Sequence, residues 1–260
     1  MSRLPRPADH VRRNSQPGGG RDVELGTRPG QHQGQPSNPA ATGSVESLYP
    51  FLYEGTIDAD QVIAQARQST VAKTREIIDL RAEVCSRNGE LLGACARDMA
   101  ARFAAGGRLL TFGNGGSATD AQEIAALFMY AGHAATSLPA IGLASDVSVL
   151  TSLANDIGVE VVFSRQIAAF GRQSDIALGL STSGNSENLL HAFDQAHKIG
   201  MMTVGISGYD GGKMAEISNL DYLFVAPSAS IHRIQEAQTT VYHILWELVV
   251  AELATGPAIT

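Results

Sequence analysis

Arg108-Leu109-Leu110-Thr111-Phe112-Gly113-Asn114-Gly115-Gly116-Ser117 is the stretch from which the fold is read. An apolar run of strand length opens into a Gly/Asn turn and then into residues with helical spacing, Asp120 to Met129. A second stretch repeats the plan. Asp175-Ile176-Ala177-Leu178-Gly179-Leu180 leads into Ser181-Thr182-Ser183-Gly184-Asn185-Ser186 and then a helical run to Lys198. Strand, polar loop and helix in that order aim backbone N–H groups and hydroxyls at an anion. Two such loops in one domain point to a small phosphorylated ligand held from two sides.

Working outward, strands and helices alternate. Ala140–Leu143 reads as a second strand, Val147–Leu153 and Phe163–Phe170 as helices, and Met202–Ile206 and Tyr222–Val225 as further strands. Gly208-Tyr209-Asp210-Gly211-Gly212 is a turn, and Ile231–Leu253 a long closing helix. Continuous apolar strands between helices predict a five-stranded parallel sheet covered on both faces. In such sheets ligands bind beyond the carboxyl ends of the strands, where both polar loops fall. Ser186 is a candidate N-cap, and Asp120 a charge near a helix start.

Upstream, Ile57 to about Ala105 has helical periodicity. Asn88 is read as the cap of a second helix ending at Gly106-Gly107, so two long helices precede the sheet domain. Residues 1–45 are rich in Pro, Gly, Gln, Ser and Arg and are expected to form a disordered tail. The organisation is thus tail (1–45), N-terminal helices (46–107) and α/β domain (108–256).

The 260 residues carry a formal charge of −7, which argues against nucleic-acid binding by bulk electrostatics. Cys85 and Cys95 form no CxxC motif and suggest no disulfide framework. There is no run of about 18 apolar residues and no secretory leader, so the expected location is the cytoplasm, away from membranes. The first loop is neither a dinucleotide fingerprint nor a Walker loop, which leaves nucleotide chemistry poorly supported.

Taken together, the loops resemble the sugar isomerase (SIS) domain, in its phosphoheptose isomerase branch. The resemblance runs from about Ala101 to Leu253 and includes Leu153-Ala154-Asn155-Asp156-Ile157-Gly158 and Arg233-Ile234-Gln235-Glu236. It implies a three-layer αβα flavodoxin-like fold, a homotetramer, and interconversion of sedoheptulose 7-phosphate with an aldoheptose 7-phosphate. It also implies substrate contacts from Asn114, Gly115, Gly116 and Ser117, and from Asn155, Asp156 and Gln235. Ser181, Thr182, Ser183 and Ser186 would hold the phosphate. His243, on the last helix, would be an acid/base group and, in some members, a zinc ligand.

One departure stands out. The family's His and catalytic Glu on the helix after the first loop are here Glu123 and Leu127. Leucine cannot take a proton from a sugar carbon. The base must then be Glu123 or His243, or the chain is a non-catalytic phosphosugar sensor or protein-bridging adaptor. Glu123, Gln235 and His243 are the donors available to a zinc ion, a set with less His and Cys character than zinc usually takes. Tyr242 and Trp246 are expected to serve packing.

Overall fold

The computed structural model describes residues 59–130 and 137–255; the tail and residues 46–58 lie outside that range. Element order is α1 (Ala59–Ala104), β1 (Leu109–Gly113), α2 (Gly116–Met129), β2 (Ala140–Gly142), α3 (Val147–Asp156), a 3₁₀ turn (Val159–Val161) and α4 (Val162–Phe170). Then come β3 (Ile176–Ser181), α5 (Glu187–Ile199), β4 (Met202–Gly208), β5 (Tyr222–Ala226) and α6 (Ile231–Thr255). The five strands are all parallel, in the order β2-β1-β3-β4-β5. This is the flavodoxin-like order, whose switch point lies between β1 and β3.

Alternation along the strands sorts the core into two layers. Leu109, Ile176, Leu178, Leu180, Val204 and Ile206 face α1, α2 and α6. Leu110, Phe112 and Ala177 face α4 and α5. Phe112 packs on Phe163 and Phe193. Gly179 makes that possible, because a Cβ there would lie 2.6 Å from both the Phe112 and Phe193 rings. At the amino ends of β1 and β3, buried Asp175 accepts from the backbone N–H groups of Arg108 and Arg172 and pairs with the Arg108 guanidinium at 2.6 Å.

Among the described residues one helix, not two, stands ahead of the sheet. α1 runs unbroken through Asn88, whose side-chain Nδ2 donates to the Val84 carbonyl at 2.7 Å instead of capping a new start. Val84 and Leu92 lie on the buried face on either side of Asn88, so packing carries the helix across the polar interruption. α1 packs along α6. Its buried positions begin only at Ile77; Val62, Ile63 and Val71 in the amino-terminal part are exposed. None of the described helices is long and apolar enough to cross a membrane.

Candidate active site

The two polar loops leave neighbouring strands. Gly113 at the end of β1 pairs in register with Leu180 near the end of β3. In the first loop Gly115 has φ +56, and the next residue opens α2. Asn114 and Asn188 form a reciprocal amide pair, each Nδ2 donating to the other's Oδ1 at 2.9 Å. That pair ties the first loop to the helix that follows the second.

The second loop is held from within and from the next turn. Ser181 Oγ lies 3.1 Å from Ser186 Oγ and accepts from the Gly184 N–H at 3.1 Å. Ser183 Oγ accepts from the Asn185 N–H at 3.2 Å. Ser186 occupies the N-cap of α5, but its hydroxyl turns to Ser181 and makes no capping bond. In the first turn of α5 the Leu189 N–H donates to the Ser186 carbonyl at 3.0 Å, and the Glu187 and Asn188 N–H groups are left to a ligand or solvent. Gly184 has φ +67, and a side chain there would strike the Gly211 carbonyl. Asn185 Oδ1 accepts from the Lys213 N–H at 2.9 Å, and the Gly184 carbonyl accepts from Met214. Thr182 and Ser183 are half-buried, whereas Ser117 and Ser181 are buried.

Helix α6 supplies the third wall. Gln235 lies with its side-chain amide where a Gly116 Cβ would stand. Two turns on, His243 Nε2 is 3.6 Å from Glu123 Oε1. The other Glu123 oxygen accepts from the Tyr242 hydroxyl at 2.8 Å. Tyr242 is completely buried, and burial together with that carboxylate raises its phenol above the ordinary range. Asp120 is half-buried one turn before Glu123, with Oδ2 buried and unpartnered. Desolvation, and then the charge of Glu123, push its carboxyl up to about 6. Because α2 starts at Gly116, Asp120 sits in its second turn and is no first-turn dipole charge. Leu127, the departure noted above, is half-buried against the core.

Two hollows lie beside the loops, and none of Gln235, Glu123, Tyr242 and His243 lines either. One, of about 360 Å³, is lined by Gly113, Asn114, Gly115, Thr151, Ala154 and Asn188. The other, a cleft of about 710 Å³, is lined by Ser183, Asn185, Tyr209, Asp210 and Ser228. The first loop therefore lines one hollow and the second loop the other, and the Asn114–Asn188 pair lies in the first. Asn155 and Asp156 are exposed at the end of α3, and Asn155 Nδ2 donates to Asp156 Oδ1 at 2.8 Å. Neither of these two side chains lines either hollow. Among the described residues no three His, Cys, Asp or Glu side chains converge to hold a metal. Glu123 and His243 alone are a poor zinc set.

The model of the SIS domain matches residues 74–208. The phosphoheptose isomerase of Pelodictyon phaeoclathratiforme is 43% identical over 173 residues, 65% of this chain and 82% of that one. This chain belongs to the SIS domain family, in its phosphoheptose isomerase branch. The Aquifex aeolicus phosphoheptose isomerase is 47% identical over 145 residues, 55% of this chain and 75% of that relative. Among solved structures, phosphoheptose isomerase GmhA from Neisseria gonorrhoeae superposes with a TM-score of 0.67 at 34% identity, covering 72% of this chain and 99% of that one. The Tyr242–Glu123–His243 arrangement joins α6 to α2. Glu123 and Tyr242 are 119 residues apart in sequence, and no local pattern signals their meeting.

Proposed function

We propose that this protein binds a phosphorylated ketose at the β1/β3 switch point and isomerises it to the aldose, with sedoheptulose 7-phosphate the first substrate to test. The observation that carries this reading is the approach of three elements to one end of the sheet. The first loop bonds to α5 through Asn114 and Asn188, and Gln235 of α6 lies against Gly116. The branch's relatives are named for this class of reaction.

Ketose-to-aldose conversion moves one proton from C1 to C2 through an enediol, while a second passes between the two oxygens. Glu123 is assigned the carbon proton, and its carboxylate is held by the Tyr242 hydroxyl. His243, facing the free Glu123 oxygen, is assigned the proton that passes between O1 and O2. Asn114 and nearby backbone N–H groups would stabilise the enediolate oxygen. Hydroxyls of Ser181, Thr182, Ser183 and Ser186, with the start of α5, would hold the phosphate. The chain is further assigned to the cytoplasm as a homotetramer. Exposed Val62, Ile63 and Val71 on α1 support the assembly, because a helix half with no packed face is poorly stabilised alone.

Leu127 favours a second reading, a phosphosugar sensor or adaptor that binds without turnover. One experiment separates the two. Incubation with sedoheptulose 7-phosphate in deuterated water is expected to yield an aldoheptose phosphate carrying solvent deuterium. Glu123→Gln is expected to lower kcat by about 10²- to 10⁴-fold. A melting-temperature rise with the phosphosugar, and no product from the unaltered protein, would select the sensor.

A further inference from the structure

Tyr209 is the one non-glycine residue with positive φ among the described residues, at +52°. Left-handed backbone is unfavourable for a residue with a bulky side chain, and such strain persists where its surroundings over-determine it. Here the surroundings are specific. The Gly211 N–H closes the turn on the Gly208 carbonyl at 2.9 Å, and the Gly212 N–H donates to Asp210 Oδ1 at 3.1 Å. Close approach of Gly211 to Gly184, and the Lys213–Asn185 bond, clamp this turn to the second polar loop. The Tyr209 backbone is therefore held at a set position relative to Ser183, with both residues lining the 710 Å³ cleft. Tyr209 is 38% exposed and belongs to neither core cluster, so packing does not account for an aromatic residue at a position where glycine or asparagine would be unstrained. Its hydroxyl has no partner among the described residues. Asp210 and Ser228 line the same cleft.

An aromatic face beside a hydroxyl-rich loop suits a ligand with C–H faces, hydroxyls and one anionic end. Resting on the reading above, we propose that Tyr209 is a specificity-determining residue. Its ring walls the carbon chain of a sugar whose phosphate is held by Ser181–Ser186. It discriminates between a sugar phosphate and phosphate alone.

Calorimetric titration with two probes, sedoheptulose 7-phosphate and inorganic phosphate, tests this on the full chain and on Tyr209→Asn, Tyr209→Phe and Ser183→Ala. Asparagine tolerates the left-handed backbone, so Tyr209→Asn is expected to melt no lower than the unaltered protein. Its dissociation constant for the sugar phosphate is expected to rise about tenfold, the worth of one aromatic contact. Tyr209→Phe is expected to stay within about threefold by the same measure, because the ring remains. Inorganic phosphate should bind both Tyr209 variants as it binds the unaltered protein, and Ser183→Ala should weaken both probes. Sugar-phosphate binding unchanged in Tyr209→Asn would overturn the inference while leaving the loop assignment standing. So would an equal loss of both probes, which would mark a structural role. Neither probe binding the unaltered protein, or Ser183→Ala having no effect, would remove the underlying reading and this inference with it.

Discussion

Asp120 shows how one residue records the electrostatics of the site. Its carboxyl titrates at about 6 because it is half-buried beside Glu123. An aspartate in the unfolded chain titrates near ~3.9. The folded state thus holds this proton more tightly. The stability it contributes is present in full below the unfolded value and is lost as pH rises through about 6. A shift of this size corresponds to at most ~3 kcal/mol, reduced to about 1 kcal/mol because solvent screens a half-exposed group. Asp120→Asn removes the titration. Urea denaturation is expected to find the variant more stable by about 1 kcal/mol at pH 8, with the difference gone near pH 4. A difference that does not depend on pH would contradict this account of Asp120. At the same scale, the polar loop residues were legible in the sequence, because strand–loop–helix order by itself puts hydroxyls at strand ends. The partners of those residues were not. Asn114 meets Asn188 across 74 residues and Glu123 meets Tyr242 across 119, so the contacts exist only once the sheet has formed. Tyr242 is buried as expected of a packing residue, yet its hydroxyl is spent on Glu123.

Among the elements, the strands were readable because each is a short apolar run bounded by turn residues, and their boundaries shift by only a residue or two. The amino-terminal helix was not. Asn88-Gly89 carries the local signature of a break, but Val84, Leu92 and Cys95 continue one buried face past it, and tertiary packing outweighs local propensity. The start of α2 was also displaced, from Asp120 to Gly116, because the last glycine of the first loop opens the helix and Gly115 stands at its N-cap. β1 and β3 are pinned at the end opposite the site by Asp175, which has no exposed surface. Asp175→Ala would leave the Arg108 and Arg172 N–H groups without their acceptor and the Arg108 guanidinium with the Phe170 carbonyl alone. The expected cost is about 3 kcal/mol, read as a lower urea midpoint at unchanged slope. Because the pin is remote from the loops, the dissociation constant for a phosphosugar should not change in the fraction that remains folded.

At the scale of the whole molecule, the αβα sandwich brings the two loops side by side at the switch point but leaves them on two separate hollows of one protomer. Asn155 and Asp156 stand outside both hollows, on the exposed end of α3. An active site completed by a second copy would account for both features, and the unpacked part of α1 offers a surface for that copy. Sedimentation of the full chain is expected to show a tetramer, and Ile63→Asp with Val71→Asp to shift it to smaller species. A monomer at all concentrations would remove the assembly. The claim on which everything else depends is that both loops grip one phosphorylated sugar, and the most direct measurement is a crystal structure with sedoheptulose 7-phosphate bound. The account predicts the phosphate within hydrogen-bond distance of the Ser183 and Ser186 hydroxyls, the carbons next to it beside the Tyr209 ring, and the reacting end of the sugar against Gly115, Gly116 and Gln235. Ligand density that touches only one loop, or neither, would contradict it.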